Sequence, residues 1–219
     1  MRFHASISFL AGLAGFAGAA SAQVTFTGVI EKATLPSICQ EETHFLTCTG
    51  PSPDAPTGVL LKSSTLDLSS FEGQVATFTA QPRGVTCLIY DITAVDPTPA
   101  PTLEMCGTPG LGCPLRFRIH PSSAIGEFWL FLSGSPGFAP IDPVTGTVLL
   151  GPGFVLVAHG MTPPGQVDVV VPADPALTGL ELWLQGARRD IGPIGPITAT
   201  NAVCFEIPGF VFVCETPDC

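Results

Sequence analysis

From Pro36 onward no stretch between successive proline or glycine residues exceeds 14 residues, and that spacing rules out long helices. The 24 Gly and 23 Pro make up about a fifth of the 219 residues, against about 12% in average usage. A helical bundle or coiled coil needs uninterrupted runs of Ala, Glu, Lys and Leu. Disorder is excluded from the other side, because 46% of the residues are hydrophobic and only 12% are charged. A compact all-β chain with many turns remains.

Alternation of apolar and polar residues marks the strands. In the first half, Val24 to Ile30 alternates, and His44 to Cys48 and Gly58 to Leu61 are short strands. Leu66 to Gly73 reads as a helical turn closed by Gly73. Gln74 to Ala80 alternates again, and after the turn at Pro82-Arg83-Gly84 the run Val85 to Val95 forms a long strand. A Pro-rich stretch from Asp96 to Pro101 and a turn at Cys106 to Gly110 separate this half from the next. The expected division is a signal peptide over 1–22, a barrel domain over 23–106 and a sandwich domain over 107–219.

The second half is a series of short strands between turns. Leu115, Phe117 and Ile119 share a face, and Glu127 to Leu132 suits a central strand. Thr147 to Leu150, Phe154 to His159 and Gln166 to Val171 follow, each bounded by Gly or Pro. Leu180, Leu182 and Leu184 point one way while Glu181, Trp183 and Gln185 point the other. Ala202 to Ile207 and Phe210 to Val213 close the chain as a short hairpin. Turns at intervals of about 8–12 residues predict an antiparallel β-sandwich.

Two resemblances sharpen this outline. The segment DLSSFEGQVATFTAQPRGVTCLIYDITAV, Asp67 to Val95, resembles the OB-like barrels of small exported bacterial proteins. It implies a small closed barrel over about residues 24–104. The segments SPGFAPID, GTVLLGPG, DPALTGLELWLQGARRD and ITATNAVCFEI resemble a C-terminal module of exported bacterial proteins, over about residues 113–207. That second resemblance implies a β-sandwich and assigns no catalytic residue.

Residues 1–22 read as a secretory signal peptide. Arg2 supplies the positive n-region, Ile7 to Ala20 the apolar stretch, and Ala20-Ser21-Ala22 the cleavage site. No later run is long and apolar enough to span a membrane as a helix. The expected location is therefore outside the bacterial cytoplasm: secreted, periplasmic or at the cell surface. The formal charge of −10 excludes nucleic acid as a partner, because phosphate binding needs clustered Lys and Arg. A solubilising surface accounts for the scattered acids.

Eight cysteines, Cys39, Cys48, Cys87, Cys106, Cys113, Cys204, Cys214 and Cys219, predict a disulfide framework in an exported chain. Local pairing is expected: Cys39 with Cys48, Cys106 with Cys113 and Cys214 with Cys219, leaving Cys87 with Cys204 to join the halves. Cys39 with Cys87 is the alternative. Zinc-type spacing is absent, so no metal site is expected.

Catalytic patterns are sparse. Ser133-Gly134-Ser135-Pro136-Gly137 is not a nucleophile elbow and reads as a polar turn. His44, His120 and His159 belong to no close-spaced ligand pair. Glu127, Asp168 and Glu181 are the acids on strands that a glycosidase would have to bring face to face. Arg116, Arg118, Arg188 and Arg189 offer anion contacts, or simply guard sheet edges. No phosphate-cradling loop, dinucleotide pattern or calcium loop occurs, and no cofactor is expected.

One constellation resembles carbohydrate recognition: Glu181, Trp183 and Gln185 on one strand face, a ring beside hydrogen-bonding groups. Pro-Gly-Phe recurs at Pro136, Pro152 and Pro208, placing Phe138, Phe154 and Phe210 at strand entries. The expectation is a non-enzymatic exported module, structural, adhesive or binding, whose partner is an extracellular protein or glycan. The alternative is a carbohydrate-active protein, either a glycan-binding module or a hydrolase with paired carboxylates.

Overall fold

The computed structural model describes residues 23–34, 39, 41–51, 56–84, 87–99, 101–121, 125–142, 144–190, 195–209, 213, 214, 216, 217 and 219. The expected signal peptide and Phe210 lie outside them, as does most of the second strand of the expected C-terminal hairpin. Within them the protein is built almost wholly of strands.

Five strands close into a barrel: β1 (Val24–Lys32), β2 (His44–Thr47), β3 (Pro56–Lys62), β4 (Ala76–Arg83) and β5 (Ile89–Asp96). Their order around the barrel is β1-β2-β3-β5-β4, with β3 and β5 parallel and every other pair antiparallel. Closure leaves this sheet without open edges. The expected helical turn between β3 and β4 is a 3₁₀ turn over Leu68–Phe71, capped by Asp67, whose carboxylate accepts from the Ser69 amide at 3.1 Å. Gly73 follows at φ +70°, a conformation glycine adopts without strain.

Ten more strands make the second half. They are β6 (Thr102–Cys106), β7 (Pro114–His120), β8 (Gly126–Ser133), β9 (Pro136–Pro140), β10 (Val144–Thr145), β11 (Thr147–Leu150), β12 (Val155–Thr162), β13 (Gln166–Val170), β14 (Glu181–Asp190) and β15 (Ile197–Glu206). They form a five-stranded sheet in the order β10-β15-β14-β8-β12, a three-stranded sheet β13-β7-β6 and a ribbon β11-β9. Strand β6 pairs with β7 from Thr102 opposite His120 to Cys106 opposite Arg116. It follows directly on the Pro-rich stretch, where the sequence shows only a break.

The five-stranded sheet is the middle layer. Along β14 and β15 successive side chains enter two different cores. Leu184, Val203 and Phe205 pack against Leu115, Phe117 and Ile119 of the three-stranded sheet. Trp183, Ala202 and Cys204 pack on the opposite side, against Leu149 and Leu150 of the ribbon and Phe26, Leu46 and Phe78 of the barrel. Barrel and sandwich thus share one core. Phe138 of the ribbon completes it, with ring centroids 5.5 Å from Phe26 and 4.7 Å from Tyr90.

All eight cysteines are paired, and the pairing is not the local one expected from sequence. Cys39 bonds Cys87, which was the alternative; Cys48 bonds Cys204, Cys106 bonds Cys219 and Cys113 bonds Cys214. Backbone pairing explains the link between the halves. Just after β2, Thr49 bridges to Val203 in parallel register, with Thr49 N donating to Ala202 O and Cys204 N donating to Thr49 O. That docking carries Cys48 to Cys204. Gly50 comes next at φ +125°, and a Cβ there would collide with the Cys204 carbonyl, so only glycine permits the approach. Four disulfides suit an oxidising environment. Among the described residues no helix is long and apolar enough to cross a membrane.

Candidate binding groove

Glu181, Trp183 and Gln185 do share a face of β14, but that face is covered. Trp183 is 0% exposed, and its indole N–H donates to Glu181 Oε1 at 2.7 Å. Gln185 is 2% exposed; its carboxamide donates to the carbonyls of Thr147 and Thr200 and accepts from the Leu149 amide. It therefore stitches β11 to the middle sheet. No ring face is open there for a sugar to stack on, because the barrel and ribbon occupy the space. Alternation along one strand identifies which residues go together, and it carries no information about which layer lies above them.

Most of the other candidates are engaged elsewhere. Glu127 pairs with Arg189, Asp168 with Arg116 at 2.7 Å, and Arg188 with Asp190 at 2.7 Å. The hydrogen bond from Arg116 holds the Asp168 carboxyl below the ordinary carboxylate range. That is the reverse of what a glycosidase acid needs. His44 is buried in the barrel wall and bonds Thr43 and Glu72. His120 pairs with Glu104 at 3.0 Å. Glu104 also lies close to Cys106 and Cys219, whose sulfurs are joined to each other, so neither offers a thiolate.

His159 of β12 stacks on Trp129 of β8, with ring centroids 5.3 Å apart and planes 12° apart. The Arg189 guanidinium on β14 lies 5.6 Å from the Trp129 ring. Strand β8 lies between β12 and β14, so the indole has a neighbour on each side.

Besides a cavity of about 170 Å³ lined by Phe131, Val148, Phe154 and Gln185, two concavities among the described residues bear on binding. One, of about 540 Å³, lies between barrel and sandwich beside Thr49, Val75, Met105 and Val203. Its ionisable groups, Glu104 and His120, hydrogen-bond each other. The second, of about 250 Å³, opens between the middle sheet and the three-stranded sheet. Leu115, Phe117, Leu132, Val157, Val169 and Leu184 line it, along with other side chains that are all carbon. Among the described residues nothing in it offers a donor, an acceptor or a charge.

Exposed apolar side chains gather at the mouth of this second groove. Strand β12 ends the five-stranded sheet, and β13 ends the facing one. On β12, Val155 and Leu156 are each 55% exposed, and Val157 and Met161 are open too. The register puts Val155 opposite Leu132, which lines the groove, and Leu156 opposite Phe131 on the other face. Phe154, just before β12, rests edge-on against Phe131 at 5.6 Å. Leu180 is 41% exposed and lines the groove from the far side. Most isolated exposed apolar residues need no explanation, but a contiguous set beside a groove marks an interaction surface.

The sequence signal for this surface is Phe154 to His159, which reads as a strand interior with no polar alternation. It cannot show that the strand lies at a sheet edge. No protein-family model, curated protein or solved structure matches the chain.

Proposed function

We propose that the protein is an exported, non-enzymatic binding module that holds a protein partner along β12 and the apolar groove beside it. The observation that carries this reading is the character of β12. Strands with apolar residues on both faces belong inside sheets, yet among the described residues the stretch Val155–Met161 of β12 pairs only with β8 and exposes apolar side chains on both faces. Edge strands are ordinarily guarded by Lys, Pro or inward charges. Between Val155 and Thr162 there is none of these, only a bulge after Leu156. A cavity of about 250 Å³ is smaller than most pockets for drug-sized molecules, which start at about 300 Å³. It is wide enough for the side chains of an added strand.

The five-stranded barrel supports the OB-like reading through its strand order and the 3₁₀ turn between β3 and β4. Fold kinship of that kind assigns no ligand. Glycan binding is the second reading, favoured by the partly exposed Trp129 beside the Arg189–Glu127 pair. With His159 and Arg189 flanking the indole, it has less room to stack a sugar.

The test uses Nile red, a neutral apolar dye suited to an acidic protein. Folded protein is expected to enhance and blue-shift its emission. A Leu156→Lys/Val157→Lys variant with an unchanged circular dichroism spectrum should lose most of that enhancement. No dye binding by the wild-type protein, or equal binding by the variant, would remove this reading. Glycan-array binding lost in Trp129→Ala would favour the second.

A further inference from the structure

We infer that the strand which covers β12 is the β12 of a second copy of this chain, paired antiparallel about a two-fold axis. The inference rests on the binding reading above and names its partner. Charge distribution selects the copy. The chain carries a formal charge of −10, so two copies repel wherever their carboxylates face each other. Residues 143–167, which run through β10, β11 and the whole of β12, contain no Asp, Glu, Lys or Arg. That is an uncharged window in an otherwise acidic sequence. Contact centred on it places no acid of β12 against an acid of the opposite β12. Charges farther than about 8 Å away are largely screened at physiological salt.

An isologous contact also uses both features of the surface at once. Pairing β12 with its copy joins two five-stranded middle sheets into one continuous sheet across the axis. Val155 and Val157 of each copy then lie along the shared groove, and Leu156 and Met161 cover the opposite face next to Phe154. A closed two-fold contact leaves no further β12 edge exposed, so association ends at the dimer. Strand β13, at one end of the three-stranded sheet, carries Asp168 with its side chain 54% exposed, and that acid disfavours the same pairing there.

The experiment is sedimentation velocity on the mature protein from about 1 to 200 µM, with hydrogen exchange at both ends of that range. A species of twice the monomer mass is expected, with amide protection of Val155 to Met161 rising with concentration and that of β13 unchanged. Leu156→Lys, at a site already open to solvent, should weaken the dimer at least tenfold while the monomer stays folded. A monomer at every concentration overturns the inference, and so does a dimer that Leu156→Lys leaves intact or in which β12 amides stay unprotected. If such a monomer still binds Nile red in a manner sensitive to Leu156→Lys/Val157→Lys, self-pairing falls and the binding surface stands. If the dye does not bind either, both fall.

Discussion

The carboxamide of Asn201 bonds both backbone groups of Leu103: its oxygen accepts from the Leu103 amide at 2.8 Å, and its nitrogen donates to the Leu103 carbonyl at 3.0 Å. Asn201 is the only asparagine in the chain and is fully buried. Its side chain does for β6 what a neighbouring strand's backbone would do, and the same nitrogen reaches Thr49 Oγ1 at 2.9 Å. One residue of β15 therefore holds the start of the three-stranded sheet and the docking segment of the barrel.

Replacing Asn201 by Ala strands the Leu103 amide and carbonyl in the interior. Each unsatisfied buried group costs about 1–3 kcal/mol. Asn201→Ala is expected to lower unfolding free energy by about 2–4 kcal/mol in urea titration. Asn201→Asp keeps the acceptor but loses the donor, and should destabilise as well. A loss below about 1 kcal/mol for the Ala variant would show that β6 does not depend on this side chain.

Non-reducing peptide mass spectrometry should recover Cys39–Cys87, Cys48–Cys204, Cys106–Cys219 and Cys113–Cys214. Cys48–Cys204 spans 156 residues and ties barrel to sandwich. The Cys48→Ser/Cys204→Ser variant is expected to lose about 2–5 kcal/mol, mainly by releasing the unfolded chain. Recovery of Cys39–Cys48 instead would contradict the docking of Thr49 on β15, and recovery of Cys106–Cys113 would contradict the tethering of Cys214 and Cys219 to the three-stranded sheet.

The two tryptophans should be spectroscopically distinct. Trp183 is fully buried and Trp129 is partly exposed. In Trp129→Phe the remaining emission is expected to be blue-shifted and nearly immune to acrylamide; in Trp183→Phe it should be red-shifted and quenchable. Trp183→Ala should cost about 3–5 kcal/mol, as large aromatic deletions in cores do. Ready quenching of Trp183 would mean that the barrel does not cover β14.

Tyr90 is the sole tyrosine, and burial pushes its phenol above the ordinary value of 10.0. The unfolded chain then loses this proton first as pH rises. The part of the stability linked to this proton is fully present below about pH 10 and is lost as pH rises above it. Absorbance at the tyrosinate band should show a delayed transition in the folded protein and an ordinary one in denaturant. A folded transition at or below the denatured one would place Tyr90 in water.

Much of this molecule follows from local chemistry. Gly and Pro cut the chain into strand-length pieces, and alternation within Val24 to Ile30, Leu115 to Ile119 and Leu180 to Gln185 assigns their faces, because side chains of a strand have a period of two. The 3₁₀ turn closed by Gly73 is equally local. Of the disulfides only Cys39–Cys87 is among the pairings weighed from the sequence; the others were not legible, since Cys48, for one, meets Cys204 through a strand contact between residues far apart in sequence. Nor was the fate of Glu181, Trp183 and Gln185. Alternation put them together on one side of β14, and only the docking of barrel and ribbon decided that this side faces a second core. For β12 the outcome runs the other way. Its apolar run reads as an interior strand, and only the sheet order places it at an edge. A strand's sequence records which residues want to leave water, while the layer that removes them from water is chosen by contacts between distant segments.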